Sequence, residues 1–259
     1  MIPAGFAELE AQLWVWLIAM IRPGAAFITA PVFGAPYVPL QLRLVVALAL
    51  GMAAMQAQPF AMPDGGLVTI AGFMMVAGEV LAGLALGFAV QIGFAAALLA
   101  GETIGNVMGL GFAGMVDPAS GQSSPAIGQL LSLLTTFLFL AIGGHLILAT
   151  IIVESYRALP PGNAWMSAET INGLVLFGGH VFAAGLVIAL PVGFALILVQ
   201  LVMGMLARSA PSLNLFAVGL PATLLAGLVL LAMAIPVMSE GLVASIQQGL
   251  AMARQIAGG

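Results

Sequence analysis

Cysteine is absent from the 259 residues. That excludes disulfides, cysteine-ligated zinc, iron–sulfur clusters and thiol catalysis. Lysine is absent as well, and the five basic residues are all arginine. With nine acidic residues the net charge is −4. There is no basic surface for nucleic acid and no polybasic stretch for anionic lipid headgroups. Charged residues make up 5% of the chain, against about a quarter in an ordinary soluble domain. So few charges cannot build a water-facing surface. What is present is apolar: 63% hydrophobic residues, with a mean hydropathy of +1.21. The composition defines a polytopic membrane protein, or a subunit buried in an apolar assembly; no β pattern competes along the chain, so the fold class reads as all-α.

A bilayer core of about 30 Å takes about 20 helical residues. Six apolar runs meet or approach that length: 11–33, 42–58, 67–100, 127–152, 172–206 and 215–238. The third is too long for one plain span and is expected to bend, tilt or split; the fifth has 35 residues with Pro191 inside, and the sixth ends near Pro236. The start of the chain carries Glu8 and Glu10 and no basic residue. It is expected to be a retained helix and not a cleaved signal. Loops are too short to hold a soluble domain, so residues 1–259 read as one membrane domain of about six long, kinked helices.

Three charges fall within or beside apolar runs: Arg22, Glu79 and Glu102. Each is costly against lipid, about 2.5–3.5 kcal/mol for an arginine near mid-span. They read either as charges satisfied inside a helix bundle or as the lining of a wet conduit or subunit contact. The arginines do not orient the chain. With six spans, Arg157 and Arg254 fall on one side and Arg43 and Arg208 on the other, a tie by the positive-inside rule. Such a tie points to apolar runs that are not ordinary spans.

Gly101, Gly105 and Gly109 recur every four residues and Ala113 continues the series; Gly83 and Gly87 repeat the spacing. Small residues at this interval let two helix backbones approach closely, within one chain or between subunits. Next comes Gly109-Leu110-Gly111-Phe112-Ala113-Gly114-Met115, then Asp117-Pro118. Glycines weaken a helix by about 1 kcal/mol each, and Asp117 before proline avoids the helical region. The stretch reads as a flexible apolar stopper or as a plain connector, inside a segment spanning 101–126. Pro31, Pro36 and Pro39 predict a kinked link before Arg43, and Pro211 a turn between runs five and six, with Ser212 or Asn214 as helix cap. His145 and His180 lie on separate runs and read as core polar residues. No catalytic spacing is present, so no enzymatic role, metal or cofactor is expected.

Two stretches, Arg22…Phe27…Pro31-Val32-Phe33-Gly34…Pro39…Arg43 and Gly101…Gly105…Gly109-x-Gly111-x-Ala113…Asp117-Pro118, resemble the FliR family of flagellar export-gate proteins. Gln122, Ser124-Pro125, Gly144-His145, Ser155-Tyr156…Leu159-Pro160 and Gly204…Arg208…Pro211-x-Leu213-Asn214-x-Phe216…Gly219-x-Pro221 fit the same pattern. The resemblance runs from about residue 22 to residue 236. It implies kinked helical hairpins that form an export gate with FliP-like and FliQ-like subunits and a bound FlhB-like subunit. Unfolded flagellar proteins would pass in transit through that gate, in the inner membrane at the flagellar basal body. It further implies that Gly109 to Met115 plugs the closed channel. The same family contains the T-type subunit of virulence injectisomes. Two other classes compete: a secondary transporter with broken helices, which would need paired repeats, and a redox subunit using His145 and His180.

Overall fold

The computed structural model describes residues 4–57, 69–111, 126–209 and 215–259. Every regular element among them is helical: α1 (Ala4–Thr29), α2 (Leu40–Ala57), α3 (Ile70–Val107), α4 (Ala126–Ala141), α5 (Gly144–Ala158), α6 (Ala168–Phe177), α7 (His180–Ser209) and α8 (Leu215–Ala257). Four stretches are long and apolar enough to cross a membrane, or five if the bent pair α4–α5 counts as one.

The helices differ from the six expected runs where glycine and proline act in unexpected ways. Run four breaks at Gly143, with a 67° bend between α4 and α5. Gly143 has φ 70, a left-handed conformation that only glycine adopts at little cost. Run five breaks at Gly178 and Gly179, between α6 and α7. The third run does not split, since α3 is one helix of 38 residues. The sixth run does not stop near Pro236, because α8 continues through Pro221 and Pro236 to Ala257, 43 residues in all. Its last turns bury Leu242, Ile246, Leu250, Ala253 and Ile256, the three-to-four-residue stripe of an amphipathic helix.

The chain divides into two compact units. The first comprises residues 1–92, 140–178 and 247–259, and the second residues 93–139 and 179–246.

In the first unit α1 and α2 form an antiparallel hairpin: Gly24 faces Ala47 while Gly51 lies against Ala19. A Cβ on Gly51 would sit 2.5 Å from the Ala19 carbonyl oxygen, so no larger residue fits there. The first part of α3 runs parallel to α1. Cβ atoms on Gly83 and Gly87 would collide with the carbonyls of Arg22 and Ala26 respectively. The hydroxyl of Thr29 donates to the Leu84 carbonyl at 3.0 Å. Between α1 and α2 the prolines build a tight turn: the Phe33 N–H donates to the Pro31 carbonyl at 2.8 Å around Val32, whose φ is 70. This is a γ-turn of the strained hand. Phe27 and Phe33 stack across it at 4.5 Å, and Arg43 donates to the Ala35 carbonyl.

In the second unit the rest of α3 forms a core with α4, α7 and α8. Ala97, Ala100, Ile104 and Met108 meet Ile127 and Leu131, Ile188, Val192 and Leu196, and Leu231 and Leu242. Helix α8 runs antiparallel to α3, pairing Ser245 with Gly93 and Gly227 with Met108. The outward face of α7 carries Phe182, Leu186, Leu190, Phe194, Leu201 and Met205, all exposed. A contiguous apolar face of this kind is suited to lipid or to another apolar subunit, not to water.

Candidate functional site: a buried guanidinium knot and the capped end of the third helix

Pro23 lies inside α1. It has no N–H, so the carbonyl of Ala19, four residues back, loses its helical donor. Next to it stands Arg22, which the helix turns inward. Both problems are solved by one cluster in the first unit. Arg22 and Glu79 are fully buried. The guanidinium grips the carboxylate with two donors, Nε to Oε2 at 3.0 Å and Nη2 to Oε1 at 2.7 Å. Bidentate pairing of this kind is the strong form of the arginine–carboxylate interaction. Nη1 donates to Ser155 Oγ at 2.9 Å and Nη2 also to the Leu159 carbonyl at 2.6 Å. The Ser155 hydroxyl in turn donates a hydrogen bond to the Ile152 carbonyl at 2.7 Å. The acceptors at Ser155 and Leu159 lie at the C-terminal end of α5, where the helix dipole favours a cation. The Tyr156 ring covers the guanidinium, 4.0 Å from centroid to Cζ. Its hydroxyl donates to the freed Ala19 carbonyl at 2.8 Å. Both charges are thus desolvated with every neighbour a matched partner, the condition under which a buried pair is tolerated.

The second feature is the end of α3 in the second unit, at the base of the glycine-rich stretch. A helix end leaves its last carbonyls without donors. Here each has one. Met108 N–H donates to Ile104 at 2.9 Å, Leu110 N–H to Gly105 at 3.0 Å and Gly109 N–H to Asn106 at 3.0 Å. Gly109 has φ 85. The crossed pair of bonds around a left-handed glycine is a Schellman cap. The fourth carbonyl, of Val107, accepts from the side chain of Gln200 on α7 at 2.7 Å. Met108 is fully buried and fills the notch left by Gly227, where a Cβ would lie 2.6 Å from its Cγ.

The other predicted residues fall as follows. Cβ atoms on Gly83, Gly87 and Gly101 would strike the backbones of α1, α1 and α4. Gly105 has only ordinary contacts, the nearest 3.8 Å from Leu110. Gly109 lies past the end of α3 and so off the helical stripe on which the spacing had placed it. Leu110 and Gly111 are described. Phe112, Ala113, Gly114, Met115, Asp117, Pro118, Pro211 and Asn214 lie outside the described residues. Glu102 and Arg208 are exposed and Pro31 is buried. His180 Nε2 lies 3.0 Å from Ser245 Oγ, which donates to the Gly93 carbonyl at 3.0 Å. His145 Nδ1 and Arg43 Nε are buried with no hydrogen-bond partner among the described residues. Among the described residues no group of His, Asp and Glu could hold a metal ion.

The family pattern had already named Ser155, Tyr156 and Leu159, though nothing in the sequence gave Tyr156 its role as donor to the Ala19 carbonyl. Sequence reasoning missed two participants outright. Gln200 and Gly227 carried no signal, since an amide or a glycine in an apolar run has many ordinary uses.

An all-helical chain with four or five membrane-length apolar stretches and a buried, fully partnered ion pair is an integral membrane protein. Residues 13–249 match the model of "Bacterial export proteins, family 1". The chain belongs to that family. It is 34% identical over 228 residues to the flagellar biosynthetic protein FliR of Escherichia coli (strain K12), covering 88% of this chain and 86% of that protein. The proteins of the same name from Pectobacterium carotovorum subsp. carotovorum and Bacillus subtilis (strain 168) are 33% and 30% identical, each over 216 residues. The first of these alignments covers 83% of this chain and 82% of the relative, the second 80% of each.

Proposed function

We propose that this chain is a core subunit of the flagellar type III export gate in the bacterial inner membrane, at the flagellar basal body. With FliP-like and FliQ-like subunits it forms the channel through which unfolded flagellar proteins are secreted, and an FlhB-like subunit binds to that core. It acts without catalysis or cofactor, and its apolar faces meet lipid and partner subunits. The observation that carries this reading is the 34% identity to a flagellar biosynthetic protein over 88% of the chain. The exposed apolar face of α7 supports it, because one chain alone leaves that face uncovered. Within this reading Gly109 to Met115 closes the idle channel. An apolar constriction resists wetting, and glycines give the freedom to move aside.

The test is complementation and co-purification. In a strain lacking its own flagellar FliR, the chain is expected to restore swimming when expressed with its cognate partners. Tagged and extracted in mild detergent, it is expected to elute as a defined complex with several smaller membrane subunits. A lone, solute-transporting monomer would overturn the reading.

A further inference from the structure

Resting on the reading that this chain forms part of an export channel, we propose that one face of the second unit, on α3 and α4, is channel wall. That face carries Glu102, Asn106, Gln129, Ser132 and Thr136, and the extended backbone of an unfolded protein in transit runs along it. Within this unit α3 is covered on three sides. Helix α7 packs on it through Gly185 against Ala96 and Leu99, and α8 through Gly227 against Met108. Helix α4 packs on it through Gly128 against Gly101 and Phe139 against Phe94. The fourth side is open and shows Leu98, Glu102 and Asn106, all exposed. Their spacing places them on one helix face. Helix α4 borders that open side. Its Leu131, Thr135 and Phe139 are buried, and Leu134 and Leu138 pack against the core cluster. Gln129, Ser132 and Thr136 share the flank turned away from Leu134 and Leu138, exposed or half-buried.

At the same level the unit is apolar on its other faces. Gly185 stands at Ala96 and Gln200 at Val107, so α7 runs parallel to α3 and brings Phe194, 61% exposed, close to the level of Glu102. Helix α8 is antiparallel to α3. Met233 lies as far along it from Gly227 as Glu102 lies along α3 from Met108, and is 74% exposed. From Val218 to Val237 every exposed residue of α8 is apolar. A helix end standing in water would leave all these faces polar. A face against lipid would not carry Glu102, because a carboxylate there is costly. Two media therefore meet this unit at one depth, apolar on α7 and α8 and aqueous on α3 and α4. Glu102 makes no ion pair with any described residue, so its charge depends on that water. Amides and hydroxyls suit a passing chain, since they bond to peptide groups of any sequence. The Thr136 hydroxyl donates to the Ser132 carbonyl at 2.9 Å and keeps its acceptor capacity for a peptide N–H. The single charge of Glu102 favours cationic segments.

The chain has no cysteine, so single cysteines report one position each. Asn106→Cys and Ser132→Cys are compared with Phe194→Cys and Met233→Cys in the full chain within its membrane complex, in vesicles given a membrane-impermeant cationic or anionic methanethiosulfonate on both sides. Gln129→Cys replaces either of the first two if it fails to assemble. The groove thiols are expected to react with the cation roughly tenfold or more faster than the other two, since a thiol ionises poorly in apolar surroundings. At Asn106→Cys the cation is expected to outpace the anion roughly two- to fourfold, and Glu102→Gln to remove that preference. With a benzophenone attached at the same positions, a flagellar subunit stalled by a folded fusion is expected to cross-link at 106 and 132 and not at 194 or 233. Assembled complexes with slow groove thiols overturn the proposal and leave the gate reading standing, since a partner subunit then covers the face. Fast groove thiols without substrate cross-links overturn it too. A chain that elutes alone overturns the gate reading, and the proposal falls with it.

Discussion

The hydroxyl of Tyr156 donates to the carbonyl oxygen of Ala19 across 2.8 Å, replacing the N–H that Pro23 cannot supply. One side chain thus repairs a proline defect in α1 while its ring covers Arg22, the residue beside the proline. Tyr156→Phe keeps the ring and removes only the donor. We expect a loss of about 1–3 kcal/mol, the desolvation cost of an unsatisfied buried carbonyl. Thermal unfolding in detergent checks this. A stability equal to the parent would mean that the Ala19 carbonyl finds another donor.

Removing one partner of the buried pair should be worse. Arg22→Gln or Glu79→Gln leaves a buried charge uncompensated, and about 3–5 kcal/mol is expected. The exchanged pair Arg22→Glu with Glu79→Arg is not expected to recover this. Ser155 Oγ and the Leu159 carbonyl face position 22 as acceptors, and a carboxylate placed there would meet oxygen. Expression level and unfolding temperature of the two single variants and the exchange variant decide it. Full recovery would show that the pair is simple charge neutralisation.

The close approach of α1 and α3 makes Gly83 and Gly87 intolerant of size. Even alanine places a Cβ on the Arg22 or Ala26 carbonyl. Gly83→Ala is expected to cost about 1–3 kcal/mol through forced backbone shifts. Gly193→Ala, where no described residue lies within 4 Å of the added atom, is expected to be neutral or slightly stabilising by helix propensity. Paired unfolding measurements of the two variants check the contrast.

At Gly143 the added Cβ meets nothing within 4 Å among the described residues, but φ is 70. Gly143→Ala is therefore expected to lose about 1–2 kcal/mol from the left-handed backbone alone. Gly143→Asn should lose less, because asparagine tolerates that region. If both variants unfold like the parent, the bend between α4 and α5 does not depend on this glycine.

Replacing Gly109 to Met115 with Gly-Ser is expected to leave assembly intact and to raise ion leakage of vesicles carrying the complex. Under the proposed closing role, the apolar side chains that would resist wetting are then gone. Unchanged leakage in well-assembled complexes removes the plug.

Much of the architecture was legible in advance. Long Leu, Ile and Phe runs forced helices, since only helices satisfy their own backbone in an apolar medium. Gly83 and Gly87 announced a close helix crossing, although the spacing did not name α1 as the partner. Other signals misled. The sixth run was read as ending near Pro236, yet α8 continues through it to Ala257, because burial of its apolar stripe outweighs the loss of single hydrogen bonds. Gly109 looked like one more member of a helical stripe and is instead the residue that ends the helix.

The sequence by itself determined an all-helical membrane protein: 5% charged and 63% apolar residues rule out a water-facing surface, and long unbroken apolar runs, without the alternation of a barrel strand, select helices. Tertiary structure alone decided how the few polar groups are matched. Arg22 and Glu79 are 57 residues apart and Ala19 and Tyr156 are 137 apart. Periodicity reports which side of one helix is apolar, whereas a hydrogen bond between helices depends on where three of them cross.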